Sequence, residues 1–193
     1  MNIMKNLKQI IREEYRKVLK EQKQNKHEKF LKIRKVHGNF SCHSNNLTSL
    51  VGAPSSVDDE FDCSYNKLTS LEGAPSLVGG SFYCGANYLT SLKGAPSSVG
   101  SNFYCADNNL TSLEGAPSSV GGDFYCNNNK LTSLEGAPSS VDGDFDCTHN
   151  ELTSLEGAPS SVGRFDCSDQ KNGIEFTEED VRKVSNVEGR IWT

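Results

Sequence analysis

The sequence predicts a solenoid, a fold in which short repeated units stack on one another around a continuous core. Its seven cysteines follow one another at intervals of 21 residues, and only the last interval, from Cys147 to Cys167, is 20. All six prolines occupy a single position of the same repeat. Self-similarity at a fixed period of about 20 to 50 residues is typical of repeat architectures.

The unit from Phe124 to Asp144, FYCNNNKLTSLEGAPSSVDGD, indicates which side chains face the core. Phe124 and Cys126 are two residues apart, so they point to the same face of a β-strand. The remaining inward positions of the unit are those of Asn129, Leu131, Leu134 and Val141. Proline and glycine in the return exclude a regular helix there. One coil cannot bury this face alone, but parallel strands stacked about 4.8 Å apart can.

The order Phe-x-Cys-x-x-Asn-x-Leu-x-x-Leu resembles the leucine-rich repeat, which has L-x-L-x-x-N-x-L in that register. The 21-residue length and the proline-bearing return resemble the short repeats of bacterial leucine-rich effector proteins. The string LTSLEGAPSSVGGDFYC is similar to repeats in uncharacterised proteins of tailed bacteriophages. This resemblance covers residues 36–193 and implies a leucine-rich-repeat solenoid, with a parallel β-sheet of about eight short strands and irregular proline-containing returns.

The ends of the chain depart from the repeat and divide it into three segments. Residues 1–35 are expected to form a basic amphipathic helix with a connector, residues 36–173 the solenoid, and residues 174–193 a C-terminal cap. In the cap, Thr177 followed by acidic residues predicts the start of a short helix. Residues 187–193 fit the frame of the repeat and predict an eighth strand. Such a cap would shield the core and the strand edge of the last coil.

The N-terminal helix has several possible roles. It could fold over the first coil, and Val51, where later coils mostly carry glutamate, suggests a covered surface at that place. It could instead dock into a partner's groove, lie on a membrane surface or contact nucleic acid. The helix also resembles short leader helices of marine tailed-phage proteins, which implies a docking contact with a phage or host protein.

Charge and hydropathy narrow the class of protein. Residues 1–38 contain twelve Lys/Arg against four Asp/Glu, whereas residues 39–173 contain five against sixteen. The acidic body would repel phosphates, which makes a nucleic-acid partner unlikely. No apolar stretch approaches the roughly 20 residues needed to cross a bilayer, and the N-terminus lacks the apolar run of a signal peptide. We therefore expect a cytoplasmic protein of the host cell or one associated with a virion, without a transmembrane segment.

Catalytic, metal and cofactor sites are not expected. The cysteines occur once per coil, beside phenylalanine, without Cys-x-x-Cys spacing. This pattern favours a column of reduced, buried thiols, although neighbouring strands would be close enough for a disulfide. The asparagines of the repeat are expected to bond the backbone where each strand turns. The four histidines are scattered, and there is no phosphate-binding loop or nucleophile elbow.

The position between phenylalanine and cysteine varies while facing outward, and it is the candidate binding site. Its residues are Ser41, Asp62, Tyr83, Tyr104, Tyr125, Asp146, Asp166 and Trp192. We predict that the three tyrosines anchor a partner, that the aspartates form a charged, solvent-facing rim, and that Trp192 extends the surface. An acidic rim would favour a basic protein partner. The alternative is a tyrosine ladder that only stabilises the sheet.

Two functions follow from this site and from the N-terminal helix. The first is a non-enzymatic protein-protein interaction module, encoded by a phage, that binds through the exposed face of the sheet. The second is a structural component of a virion or assembly, anchored by the N-terminal helix.

Overall fold

Two short strands form in every coil, one at the Phe-x-Cys position and one at the Ser-Val position. The computed structural model describes residues 9–16 and 35–193, and it stacks the coils into a parallel β-solenoid of about seven turns. In both strands a buried aromatic or β-branched residue adjoins a more exposed one. Such residues are favoured on a pleated, half-buried surface. The predicted solenoid is confirmed.

The larger sheet, here called the phenylalanine sheet, contains eight parallel strands in sequence order. They are Phe40–Ser41, Phe61–Asp62, Phe82–Tyr83, Phe103–Tyr104, Phe124–Tyr125, Asp144–Asp146, Arg164–Asp166 and Ile191–Trp192. Each phenylalanine pairs with the phenylalanine of the next coil, and the last pairs with Ile191. The expected eighth strand is therefore present.

A second set of strands, the valine sheet, was not predicted. Its strands are Lys35–Val36, Ser56–Val57, Leu77–Val78, Ser98–Val99, Ser119–Val120, Ser140–Val141, Ser161–Val162 and Asn186–Val187. The first six form one parallel sheet, and the last two pair with each other. Cys126 is buried two positions after Phe124, but no second buried residue lies two positions from Val141, so no alternating pattern reveals this strand. Because identical coils stack in register, the backbone around each valine meets its equivalent and pairs with it.

The core consists of columns of identical side chains. The seven phenylalanines at the repeat position are at most 2% exposed, and six consecutive ring pairs have centroids 5.2–5.6 Å apart. The leucines, cysteines and valines of the repeat are buried with them. Burying such apolar columns is the main favourable contribution to folding.

An asparagine column connects the coils, as predicted. Asn129, which is 0% exposed, accepts a hydrogen bond from the Leu110 N–H in the preceding coil (3.0 Å). Its amide nitrogen donates to the carbonyls of Cys105 and Cys126 at 3.1 and 3.0 Å. Gln170 takes the same place in the last coil, where it accepts from the Leu152 N–H. The column satisfies backbone groups that would otherwise be buried without partners.

The cysteines form a second column, and all seven are buried free thiols. The thiol of Cys105 donates to the Tyr125 carbonyl of the next coil, 3.4 Å away, and Cys84 contacts Tyr104 in the same way at 3.3 Å. Burial raises the pKa of the Cys42 thiol to about 12, with a smaller contribution from Asp62. Every thiol from Cys63 onward thus acts as a packed side chain that also donates to the backbone of the next coil.

Helical segments lie at both ends. The C-terminal helix, Glu178–Val184, begins with the predicted Thr177 cap, and Asp180 completes a capping box. At the other end, residues 9–16 are helical, and Ile10 and Ile11 pack against the core. Val51, however, remains 55% exposed, so the prediction that the helix covers it is wrong. The helix instead approaches the neighbouring residue, since Ile11 lies 3.6 Å from the place a Cβ on Gly52 would take.

A glycine lies two residues after the second leucine of a coil, and at Gly115 the close approach of the preceding coil requires it. Gly115 has φ +88°, and a Cβ there would lie 2.7 Å from the Lys93 backbone nitrogen of the preceding coil. A side chain would be strained by that φ and would also push the coils apart. This glycine keeps the spacing that brings the sheet residues into register.

Candidate functional site

Three tyrosines from consecutive strands form a stack on the outer face of the phenylalanine sheet. Tyr83 pairs in register with Tyr104, and Tyr104 with Tyr125. Their ring centroids are 4.7 and 4.6 Å apart, with planes inclined by 12° and 3°. All three side chains are half-buried. We call this stack the tyrosine ladder. Its members lie where the sequence placed them, on the face opposite the core.

The residues directly before Phe103 and Phe124 bind the hydroxyls of two of the three rings. The amide nitrogen of Asn102 donates to the Tyr104 hydroxyl at 3.2 Å, and the Tyr125 hydroxyl donates to Asp123 at 3.2 Å. Asn102 also accepts from the Asp123 N–H, and Asp123 from the Asp144 N–H, both at 2.8 Å. The ladder is therefore held by side chains that are themselves tied to the backbone.

The environment of the ladder disfavours negative charge on the rings. Burial and, to a smaller extent, the carboxylate of Asp123 raise the pKa of Tyr125 to about 12. The pKa of Tyr104 is also raised, mainly by burial. Both phenols are neutral at physiological pH and offer a hydroxyl and a ring edge to a ligand.

The aspartates extend the same row at both ends of the ladder. Asp62 pairs in register with Tyr83, Tyr125 with Asp146, and Asp146 with Asp166. The structure thus places all three in one row with the tyrosines.

The aspartates are not, however, the open, solvent-facing rim that we expected. The Oδ1 atom of Asp62 accepts from the Ser64 N–H and hydroxyl at 2.9 and 2.6 Å, and Asp166 does the same with Ser168. Asp146 accepts from the Thr148 N–H at 2.9 Å. Short aspartate side chains readily form such turns with the backbone two residues ahead, and this draws them into the loop. The expectation of full exposure was therefore wrong, since all three are half-buried.

Asp146 lies between Tyr125 and Asp166 in the row. Burial raises the pKa of its carboxyl group, the Thr148 hydrogen bonds lower it, and the nearby Asp166 raises it again. His149 makes the smallest contribution and lowers the pKa, so it does not offset the burial of the ionised carboxylate. This arrangement favours a cation beside Asp146.

Trp192 lies in the eighth strand, opposite Asp166. It is 36% exposed, and the guanidinium of Arg190 lies 5.5 Å from its ring centroid. The strands of Asp146 and Asp166 separate it from Tyr125, so it is in the same row but outside the ladder.

Two exposed tyrosines were missed by the sequence analysis. Tyr65 and Tyr88 are 69% and 54% exposed, more than any ladder residue. They lie in the turns that follow Cys63 and Cys84, and Tyr65 has a positive φ of 54°, which is uncommon for a bulky residue. The sequence does distinguish these two positions, because the residue there varies between repeats, as it does at the ladder position. Both tyrosines lie in turns, outside the row of strand residues that contains the ladder.

The side chains on the outer face of the phenylalanine sheet are varied. Aromatic rings, hydroxyls and carboxylates are present, and within residues 9–16 and 35–193 no group of three or more His, Cys, Asp or Glu side chains is arranged to hold a metal ion. In the same part of the chain, no helix has the length and apolar character needed to cross a membrane.

Comparisons with known proteins add no relative from which a role could be transferred. No protein-family model, no curated protein and no solved structure matches the chain.

Proposed function

We propose that the protein is a non-enzymatic binding module, whose partner is a protein that docks on the outer face of the phenylalanine sheet. The tyrosine ladder carries this proposal. It supplies three large, rigid and neutral side chains on a sheet, and tyrosine is enriched among the residues that dominate binding energy at interfaces. Because the three rings are already stacked and two of their hydroxyls are hydrogen-bonded, a partner loses little free energy in ordering them.

The pattern of residue variation between coils supports the same binding surface. Core positions repeat the same residue type in coil after coil, whereas the ladder row changes from serine to aspartate, tyrosine and tryptophan. Packing accounts for the constant positions, and it does not require tyrosine at three outward ones. A row of alternative side chains on a constant scaffold is the arrangement by which repeat proteins form binding surfaces.

We also propose that the solenoid is a leucine-rich-repeat protein of the short type, related to proteins of tailed bacteriophages. The buried order of phenylalanine, cysteine, asparagine and leucine supports the first part, because it fills the positions of L-x-L-x-x-N-x-L. The similarity of the repeat string supports the second. A cytoplasmic or virion-associated location would accompany this origin.

The experiment is a capture assay followed by a measured affinity. The intact protein and its Tyr83→Ser/Tyr104→Ser/Tyr125→Ser variant are used as baits in lysate of cells that natively contain the protein. Captured proteins are identified by mass spectrometry and then purified for titration. We expect the triple variant to remain folded by circular dichroism and to bind the purified partner at least about tenfold more weakly.

The matched control is Leu77→Ser, which removes an exposed apolar side chain, 60% exposed, from the valine sheet instead. It should leave the affinity unchanged. Unchanged affinity of a folded triple variant would show that the ladder only stabilises the sheet.

A second candidate function is a structural component anchored by the N-terminal helix. The observation that favours it is the exposure of Arg12, Tyr15 and Arg16 on the helix while Ile10 and Ile11 pack inward. Glu13 is exposed beside them, so the outer side of the helix is charged and aromatic and remains free for a contact with a partner. Deleting residues 1–30 distinguishes the candidates, since it should abolish incorporation into an assembly but leave binding at the ladder intact.

A further inference from the structure

The C-terminal end of the tyrosine ladder combines a ring face with carboxylates that lack a cation. One face of Tyr125 is covered by Tyr104, whose ring centroid is 4.6 Å away. The other face is turned toward the next coil, where the shorter side chain of Asp146 occupies the equivalent position. An aspartate does not reach the outer part of a tyrosine ring, so that part of the face has no aromatic neighbour.

The charges around this ring face are unbalanced. Asp123, Asp144 and Asp146 all belong to the two coils that meet there, and Asp166 follows in the next strand. Arg164 pairs with Asp144 through its Nε at 2.7 Å. Among the described residues, no basic side chain lies within 4.0 Å of a carboxylate oxygen of Asp123, Asp146 or Asp166.

The last coils show how guanidinium groups fit this face. Arg164 and Arg190 both stand directly before a phenylalanine-sheet core residue, at the position that Asp123 and Asp144 occupy upstream. Arg164 forms the ion pair with Asp144, and Arg190 lies over the ring of Trp192, 5.5 Å from its centroid. The protein thus supplies both an ion-pair and a stacking contact from its own arginines at its C-terminal end. At Tyr125 the ring and the carboxylates are present without the arginine.

We propose that this end of the ladder binds an arginine side chain of a separate partner protein. The guanidinium stacks on the outer part of the Tyr125 face and pairs with the carboxylate of Asp146. Arginine fits better than lysine because its planar group can stack on a ring and still donate hydrogen bonds sideways to a carboxylate. This inference rests on the proposed function, for which it specifies the partner's chemistry.

The test uses two labelled peptides of Gly-Ser-Arg repeats and Gly-Ser-Lys repeats, equal in length and charge. Their binding to the full-length protein is measured by fluorescence anisotropy at low and at physiological salt. We expect the arginine peptide to bind about fivefold more tightly than the lysine peptide. Tyr125→Ser should abolish that preference, and Asp146→Asn should weaken both peptides by about threefold.

Two variants serve as matched controls. Tyr88→Ser removes an exposed tyrosine outside the ladder, and Asp142→Asn removes a carboxylate beside the valine sheet. Neither should change the affinity for either peptide by more than about 1.5-fold. Asp146→Asn also keeps an oxygen that can accept from the Thr148 N–H, so it tests the charge without breaking the turn.

Several outcomes would overturn the inference. They are equal affinity for the two peptides, absence of binding at low salt, and an equal effect of the control variants. Salt-dependent self-association of the protein that is lost in Tyr125→Ser would assign the arginine to a second copy and would also overturn it. If the captured partner still depends on the three tyrosines while the peptides show no preference, the proposed function stands and only the arginine site fails.

Discussion

The asparagine column offers a direct test of how the coils are held together, through Asn129→Ala in the middle of the stack. This change removes one acceptor and two amide hydrogens from a side chain that is 0% exposed. The Leu110 N–H then loses its partner, because the amide oxygen of Asn129 is what it bonds. A buried backbone donor without a partner costs about 1–3 kcal/mol.

The carbonyls that Asn129 bonds are less affected. Cys105 also accepts from Asn108 at 3.1 Å, and Cys126 also accepts from Asn150 at 3.1 Å. Each carbonyl therefore keeps one donor and loses only its second hydrogen bond. The loss of these second hydrogen bonds together costs about 0.5–1.5 kcal/mol. The expected loss in the free energy of unfolding is about 2–4 kcal/mol.

The assay is urea denaturation followed by circular dichroism, with Asn109→Ala as the matched control. Asn109 lies one coil away and makes no side-chain hydrogen bond within the described part of the chain, so its removal should change the free energy of unfolding by less than about 0.5 kcal/mol. A difference between the two variants below about 0.5 kcal/mol would refute the view that this column satisfies the buried backbone.

Three further changes test other parts of the structure. In the core, Leu110→Ala should lower the free energy of unfolding by about 2–5 kcal/mol, while Thr111→Ala at the exposed neighbour should lower it far less. Equal losses in urea melts would mean that the inward and outward assignments are wrong. The seven buried thiols should react with a thiol reagent at pH 8 only slowly until denaturant is added. The reason is that burial raises the pKa of Cys42 and of Cys167 to about 12 and raises the pKa of the other thiols as well. Rapid labelling of most of them in the native protein would contradict this. The folded-state pKa of Tyr125 is raised from 10.0 to about 12, so its contribution to stability is complete below pH 10 and is lost as pH rises toward 12. Tyr125→Phe should reduce this loss and should remove an ionisation with its midpoint near pH 12 from the ultraviolet titration of the folded protein. Removal of an ionisation centred near pH 10 instead would count against the assigned environment.

Stacking explains why so much of the fold could be predicted from one repeat. Phe124, Leu131 and Asn129 each recur in coil after coil, so an inward assignment made for one coil applies to all. The eighth strand at Ile191 and the helix start at Thr177 followed from matching the same frame and from a helix-capping pattern. The valine sheet could not be predicted in this way, because Val141 has no second buried residue two positions away to form an alternating pattern.

The details of the candidate site depended on side-chain contacts that a pattern does not contain. The row from Asp62 to Asp166 could be predicted because it follows from strand alternation. The turn that each aspartate makes with its own loop could not, because an aspartate in an exposed row can either face water or bond the backbone ahead. The same holds for Val51, whose exposure depends on where the N-terminal helix crosses the first coil.

The residues that hold the coils in register are different from the residues of the outer row. Hydrogen bonds from Asn129 and its equivalents, together with the buried phenylalanine and leucine columns, hold neighbouring coils in register without any help from the outer row. Aspartate occupies that row in three coils and still permits strand pairing, so pairing alone does not require tyrosine at Tyr83, Tyr104 and Tyr125. Stacking of the three rings adds some stability to the sheet, about 0.5–1.5 kcal/mol per pair. That contribution would be available in any coil, yet the tyrosines are confined to three adjacent ones and are bordered by carboxylates at both ends. A purely stabilising ladder has no need of such a boundary, whereas a site for one partner has a defined extent, and this is the physical reason for preferring recognition as the role of the face.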